Sequence, residues 1–248
     1  RCAVASDAHT YVRGTAFIGI DTSTPQSLLG YFDRIESEDE FRSSMVLLNG
    51  FFAVVCERES VLFAGVDRIR SIPLFYGSAG NECYISDDAS WVQTKVGSFE
   101  RSELAEREFC MTRYVTGSET LYPGVRQLRA GELLVARTAN GSVQFSTERY
   151  FDFVGRSETS SDAETLSHEL DALLIRCFER LLRLADGRTL VVPLSGGYDS
   201  RLIVLMLKRL GYENIVAFTY GRPGNTESEI SKLVAECLHV PWHFTPYS

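Results

Sequence analysis

Apolar and polar residues alternate in two different ways along this chain, and the change falls near Tyr150. Before it, short apolar runs are separated by turn residues, a β pattern. Gly14-Thr15-Ala16-Phe17-Ile18-Gly19-Ile20 reads as a strand. Leu28 to Phe41 is mixed and acidic, predicting a helix or two. Gly50–Cys56 and Ser60–Val66 are apolar runs on either side of Glu57-Arg58-Glu59, predicting a hairpin. Ile72–Gly77 and Glu82–Ser86 repeat the pattern across Ser78-Ala79-Gly80-Asn81, and Gly131–Arg137 and Ser142–Phe145 flank Asn140-Gly141, a dipeptide suited to tight hairpin turns. Ser102–Thr112 reads as helical.

After Tyr150-Phe151-Asp152-Phe153 the period lengthens. Arg156–Ala163 is polar and serine-rich, as in a linker, and Ser161 or Asp162 can cap a helix whose apolar positions recur at three and four. Those positions are Leu166, Leu170, Leu173, Leu174, Cys177, Phe178, Leu181 and Leu182, and Asp186-Gly187 ends the run. Then come strand 189–194, helix 199–210, strand 214–220, helix 226–239 and strand 241–245. Strands alternating with helices predict right-handed βαβ units and a parallel sheet. The expected organisation is a mainly antiparallel domain over 1–155 and an α/β domain over 156–248. Three strands are few for such a sheet, so more of it is expected beyond Ser248. A start at Arg1 rather than Met fits a fragment.

Composition narrows the partners. Lys and Arg total 25 against 33 Asp and Glu, a net charge of −8, so no basic field favours nucleic acid or an anionic membrane. No apolar stretch is long enough to span a bilayer, and the N-terminus lacks a signal peptide's apolar core. None of the six cysteines is paired at C-x-x-C spacing, and Cys56, Cys177 and Cys237 fall in apolar-periodic segments. Buried thiols in a reducing, cytoplasmic setting are expected.

The chemistry concentrates at Ser195-Gly196-Gly197-Tyr198-Asp199-Ser200-Arg201, between an apolar β-branched run and a helix. Paired glycines there let the backbone approach a ligand closely, and the helix start aims unpaired N–H groups and a positive dipole end at one point. A phosphate or pyrophosphate suits that place. Neither a G-x-x-x-x-G-K-[ST] loop, nor G-x-G-x-x-G after a strand, nor a G-x-S-x-G elbow occurs.

Ser-Gly-Gly-x-Asp-Ser after a strand resembles the PP-loop of the ATP pyrophosphatase (adenine nucleotide alpha hydrolase-like) superfamily. Asn49-Gly50-Phe51-Phe52-Ala53, Ala64–Arg68, Ile72–Tyr76, Leu121–Val125 and Leu128–Glu132 are similar to stretches of the asparagine synthetase-like family. So is Glu227 with Ser231 and Ala235, although Thr226 stands where the family has aspartate. The resemblance implies an α+β, Ntn- or glutaminase-like (class II amidotransferase-like) antiparallel domain followed by the nucleotide-binding α/β domain. It implies ATP and Mg²⁺ as cofactors, with pyrophosphate cradled by the backbone of Gly196, Gly197 and Tyr198 and the hydroxyls of Ser195 and Ser200. Asp199 would orient the loop and help place Mg²⁺, with Glu227 in support. Tyr198 and Arg201 stand where the family has leucine and serine, and Arg201 reads either as a phosphate or carboxylate contact or as a solvated helix charge. Phe218-Thr219-Tyr220 would receive adenine through its backbone. No resident protein metal site is implied. The reaction implied is activation of a small-molecule carboxylate as an acyl-adenylate, then attack by ammonia or by ammonia taken from glutamine.

Departures from the family shape the rest. The family's glutaminase begins with a catalytic cysteine, but Cys2 lies behind Arg1, and only about fifty residues precede Asn49. A non-catalytic Cys2 and a glutaminase-like domain that has lost hydrolysis are therefore expected. The alternatives left open are an active glutamine-hydrolysing asparagine synthase, amidation of a sugar uronate or peptide carboxylate, and a nucleotide- or partner-binding module without catalysis. A homodimer is compatible with all of these. His239 and His243 read as surface or packing residues, and Asp67-Arg68-Ile69-Arg70 as an ion-pair cluster. Asp87-Asp88 falls where the family has a carboxylate near its glutamine pocket, and turn chemistry accounts for it equally well.

Overall fold

A computed structural model describes residues 4–7, 9–18, 21–154 and 162–247. Cys2, Gly19, Ile20 and most of the expected linker lie outside the described residues. The chain divides into two compact units, Arg1–Arg156 and Ser157–Ser248.

In the first unit, strands β1 (Val4–Ser6), β2 (Thr10–Ile18), β3 (Asp21–Ser23), β4 (Asn49–Arg58), β5 (Val61–Val66), β9 (Glu132–Ala139) and β10 (Ser142–Arg149) form one sheet. Its order is β1-β2-β4-β5-β9-β10, with β3 on β2, and every pairing is antiparallel. A second sheet runs in the order β7 (Glu82–Ser86), β6 (Phe75–Ala79), β8 (Arg126–Gln127). Side-chain alternation assigns the layers. On one face of the large sheet, Val12, Phe52, Val54 and Phe63 pack with Leu28 and Phe32 of α1 (Pro25–Phe32) and Phe41 and Met45 of α2 (Glu38–Leu47). On its other face, Ala53, Ala64, Val66 and Leu134 meet Leu74, Tyr76 and Leu128 from the region of the small sheet. Gly77, next to Tyr76, points the opposite way. A Cβ there would sit 2.8 Å from Val96 and 3.6 Å from Val92 of α3 (Ala89–Val96). The layers are thus helix, sheet, sheet, helix, with α4 (Glu103–Thr112) beyond.

Several boundaries differ from expectation. The acidic stretch splits into two helices because both starts are capped. Thr24 accepts from Ser27 N ahead of Pro25, and Ser37 and Glu40 form a reciprocal capping box. The strand expected from Ile72 starts only at Phe75, after Pro73, which has no N–H to give. Helix α3 was not anticipated; Asp88 caps it.

The Asp67–Arg70 segment is not an ion-pair cluster. Asp67 is fully buried, and its carboxylate accepts from the backbone N–H of Ile69 (2.9 Å), Ser71 (3.0 Å) and Phe52 (3.1 Å) and from the Ser71 hydroxyl (3.3 Å). Arg68 donates to Val46 O at 2.9 Å and lies 4.6 Å from the Phe151 ring centroid. Arg70 donates to the Gln127 side chain at 2.6 Å. Backbone donors outcompete the neighbouring cations because they are already fixed in place and cost no side-chain entropy.

The second unit holds α5 (Ala163–Ala185) and a parallel sheet of β11 (Leu190–Pro193), β12 (Ile215–Gly221) and β13 (Trp242–Pro246), with β12 central. Helices α6 (Tyr198–Arg209) and α7 (Thr226–Cys237) are the crossovers. Two right-handed crossovers stepping in the same direction place both helices on one face. Val192, Leu194, Ile215 and Ala217 accordingly pack with Val204, Leu207 and Ala235. From α5, Phe178, Leu181 and Leu182 join this core, while Leu166, Leu170 and Leu173 stay exposed. The thiols also depart from expectation. Cys56 is buried, and burial pushes it up to about 12, but Cys110, Cys177 and Cys237 are exposed. No described helix is long and apolar enough to cross a membrane.

Candidate nucleotide site

The site is built where β11 ends. Leu194 N–H donates to Phe218 O at 2.8 Å, the last backbone–backbone link to the sheet, and the chain then turns through Ser195-Gly196-Gly197 into α6. Ser195 and Ser200 close this turn. Their hydroxyl oxygens are 2.9 Å apart, Ser195 N–H donates to Ser200 Oγ at 3.0 Å, and Gly197 N–H donates to Ser195 Oγ at 3.1 Å. Two hydroxyls carry two protons, and one bridges the pair. Ser200 Oγ also lies 3.4 Å from Gly197 O and 3.5 Å from Ser195 O, so at most one hydroxyl proton remains for a ligand, fewer than a cradle using both serines would offer.

The backbone supplies more. Gly197, the N-cap, has φ −79° and ψ 158°, and no side chain caps α6. Among the described residues, the N–H groups of Gly196, Tyr198 and Asp199 find no acceptor, whereas that of Gly197 is taken by Ser195. Neither loop glycine has a left-handed backbone. A Cβ on Gly196 would lie 3.4 Å from the Glu227 Cα, and one on Gly197 would lie 3.4 Å from Ser195 Oγ, both ordinary contacts. The fold itself thus has room for a Cβ at either position. The glycines leave the loop bare beside its free N–H groups, and this fits a phosphate group.

Charged groups flank it. The Arg201 guanidinium is hydrogen-bonded to Gly196 O and stands 5.0 Å from the ring centroid of the exposed Tyr198. Sequence alone suggested a ligand contact or a solvated charge. The structure shows a positive group fastened to the loop backbone. Asp199 is in the first turn of α6, and Glu227, in the first turn of α7, runs alongside Gly196. No group of three or more His, Cys, Asp or Glu among the described residues could hold a metal by itself.

The three residues expected at adenine differ in what their backbone is bonded to. In β12 the N–H of Ala217 donates to Pro241 O, and Gly221 O accepts from Tyr247 N–H, so Ala217, Thr219 and Gly221 bond towards β13. Phe218 and Tyr220 face β11 instead. The Phe218 carbonyl is used by Leu194, and pairing with β11 ends opposite Phe218. Tyr220, which faces beyond the end of β11, keeps its backbone groups open. Its exposed ring stacks with Phe218 and lies 5.9 Å from that of Tyr247.

Thr219 has another task. Buried, it donates to Leu194 O at 2.6 Å, bonds Ser231 Oγ at 2.7 Å and accepts from Trp242 Nε1 at 3.0 Å. This one hydroxyl ties the strand before the loop to α7 and β13, a link that propensity does not reveal. Thr219→Val should cost the second unit about 2 kcal/mol, the scale of buried partners left unmatched. Urea denaturation followed at Trp242 reads it; an unchanged midpoint would remove the network's structural role.

Elsewhere, Asp87 is ion-paired with Arg13, and Asp88 caps α3. His239 takes a left-handed backbone at the exit of α7, and His243 is exposed.

Residues 169–248 match the family model described as asparagine synthase. No curated protein matches the chain. Among solved structures, glutamine phosphoribosylpyrophosphate (PRPP) amidotransferase from B. subtilis, complexed with ADP and GMP, is similar at 12% identity and a TM-score of 0.38, over 98% of this chain and 73% of that one. A structure described as the allosteric regulatory enzyme of purine biosynthesis gives 12% identity and a TM-score of 0.37, over 99% of this chain and 62% of the other. Scores of this size do not establish a shared fold. The resemblance that carries weight is the asparagine synthase match, which spans the loop, both crossover helices and all three parallel strands.

Proposed function

We propose that the chain is part of an asparagine synthetase-like, ATP-dependent amide-forming ligase whose second unit is a PP-loop domain that binds ATP at Ser195–Ser200. The observation that carries this reading is the uncapped start of α6 beside two glycines that the fold does not require. The family match over 169–248 supports it independently.

In this reading the free N–H groups of Gly196, Tyr198 and Asp199 hold the β,γ-pyrophosphate, with the dipole of α6 behind them. The remaining Ser195/Ser200 hydroxyl proton donates to one phosphate oxygen. Arg201 adds positive charge through the Gly196 carbonyl it holds, and the backbone of Tyr220 receives adenine. Asp199 and Glu227 are the carboxylates that would hold Mg²⁺, which supplies neutralisation of phosphate charge when bound. A carboxylate oxygen of the acid substrate attacks the α-phosphorus, and the bond to pyrophosphate breaks with its electron pair leaving on pyrophosphate. Ammonia then attacks the acyl carbon of the adenylate, and AMP departs. The residues' share of this chemistry is positioning and charge stabilisation. Ammonia is supplied from outside, with the first unit as scaffold. This fits an Asp87 carboxylate already engaged by Arg13 and an Asp88 already capping α3.

Calorimetry with this chain tests the reading. MgATP should bind, and inorganic pyrophosphate should displace it, because the loop grips that portion of the nucleotide. Absence of MgATP binding, or binding that pyrophosphate leaves unchanged, overturns it.

A further inference from the structure

The first unit carries a groove of about 660 Å³ whose lining includes Arg70, Phe75, Phe109, Tyr114, Thr116 and Leu121. Its size and aromatic character are those of a small-molecule site. Arg70 is its unusual member. At φ 57° its backbone is left-handed, a conformation that glycine adopts freely and other residues adopt at a cost. Its guanidinium is half-buried, and burial lowers its pKa with no neighbouring carboxylate acting the other way. Its contacts are neutral: the Gln127 Oε1 at 2.6 Å and the Phe75 ring centroid at 5.6 Å. Its Nε is buried without a partner.

The surroundings fix this cation rather than neutralise it. Gln127 is itself anchored, its Nε2 donating to the carbonyls of Val115 (3.2 Å), Gly117 (3.2 Å) and Glu119 (2.9 Å), which leaves Oε1 to hold Arg70. The other charges on the groove are matched, Arg129 by Glu132 at 2.7 Å and Glu119 by Arg126 at 3.4 Å. Arg70 therefore combines an unfavourable backbone, a partly desolvated charge and an unmatched N–H, and among the described residues no carboxylate neutralises it. A buried charge is ordinarily paired.

We propose that this groove is a binding site for a small organic carboxylate, its oxygens on the Arg70 guanidinium and its apolar body against Phe75, Phe109 and Tyr114. One uncompensated planar cation matches a monoanion, and the guanidinium fork matches the spacing of carboxylate oxygens. The site is independent of the nucleotide reading of the second unit.

The test is titration of the chain with straight-chain and aryl carboxylates of four to ten carbons, 3-phenylpropionate among them, alongside 3-phenyl-1-propanol and inorganic phosphate. At least one acid should bind, at least tenfold more tightly than its alcohol and than phosphate. Arg70→Gly should weaken that acid at least tenfold while the first unit unfolds at the same or a higher temperature, since glycine suits the left-handed backbone. Three outcomes would overturn the assignment: no acid in the series binds, the alcohol or phosphate binds as well as the acid, or Arg70→Gly retains the acid. Loss of binding accompanied by a marked fall in unfolding temperature would overturn it too, by assigning Arg70 to the fold.

Discussion

Asp67→Ala should destabilise the first unit by about 4 kcal/mol, enough to unfold much of a marginal population. The carboxylate is fully buried and accepts from three backbone N–H groups and one hydroxyl. Alanine would leave the buried Phe52 N–H and the part-buried donors of Ile69 and Ser71 without their acceptor, at about 1–3 kcal/mol each and not fully additive. The damage would spread because the bonds join β4, through Phe52, to the turn after β5. The Asp67 carbonyl also accepts from Gly131 N–H, leading into β9. Asp67→Asn should cost less, since one acceptor oxygen remains. Burial lifts the Asp67 carboxyl above its ordinary range, outweighing the hydrogen bonds from Ile69, Ser71 and Phe52 that pull it down. The stability linked to its titration is thus complete below the unfolded-state value and declines as pH rises through the folded one. Denaturation of wild type and Asp67→Ala across pH 4 to 8 should show the deficit shrinking as pH rises. A deficit that grows instead would mean the ionised form is the favoured one, and a deficit under 1 kcal/mol would mean the donors find water.

Asp67 also shows where sequence reasoning runs out. An acid followed by two arginines suggests ion pairs, but charge order carries no information about which backbone N–H groups a loop will turn inward. The elements that were legible had long periodic signals or explicit punctuation. The β4–β5 and β9–β10 hairpins followed from apolar runs on either side of Glu57-Arg58-Glu59 and of Asn140-Gly141, and α5 ended at Asp186, where Asp186-Gly187 closes the run of apolar positions spaced at three and four. Helix α3 was illegible by the same measure. It has eight residues and one buried apolar side chain, Val92, so its signals are confined to its ends: Asp88 at the start, Lys95 in the last turn and Gly97 at the C-cap. Cys177 and Cys237 lie on apolar-periodic helices yet are exposed. Periodicity identifies a helix face but not how much of that face is covered. At the nucleotide site, Ser-Gly-Gly-x-Asp-Ser was readable from its spelling. Its inner arrangement was not. That Ser195 and Ser200 bond each other, that Arg201 holds Gly196 O and that Tyr220, rather than Phe218 or Thr219, keeps its backbone open are consequences of where β11 stops, which spelling does not contain.

Gly196→Val should lower affinity for MgATP at least 100-fold and leave the second unit's stability within about 0.5 kcal/mol of wild type. The two halves of this expectation come from the same geometry. A glycine retained for the fold shows a left-handed backbone or a clash at its Cβ, and Gly196 shows neither. Its Cβ would meet Glu227 at ordinary contact distance, so the folded chain has room for it. The branched methyl groups of valine would add bulk to the loop beside the free N–H groups of Tyr198 and Asp199, which phosphate oxygens would have to approach within about 3 Å. Losing even two charge-assisted hydrogen bonds of about 1.5–3 kcal/mol each accounts for the 100-fold change. Gly196→Ala, which adds only the tolerated Cβ, should fall between valine and wild type. Calorimetric titration paired with urea denaturation separates the possibilities. Undiminished nucleotide binding by Gly196→Val would place the phosphates elsewhere. A loss of stability matching the loss of binding would show that the fold needs this glycine after all, since a surface kept bare for a ligand can be filled without cost to the protein that presents it.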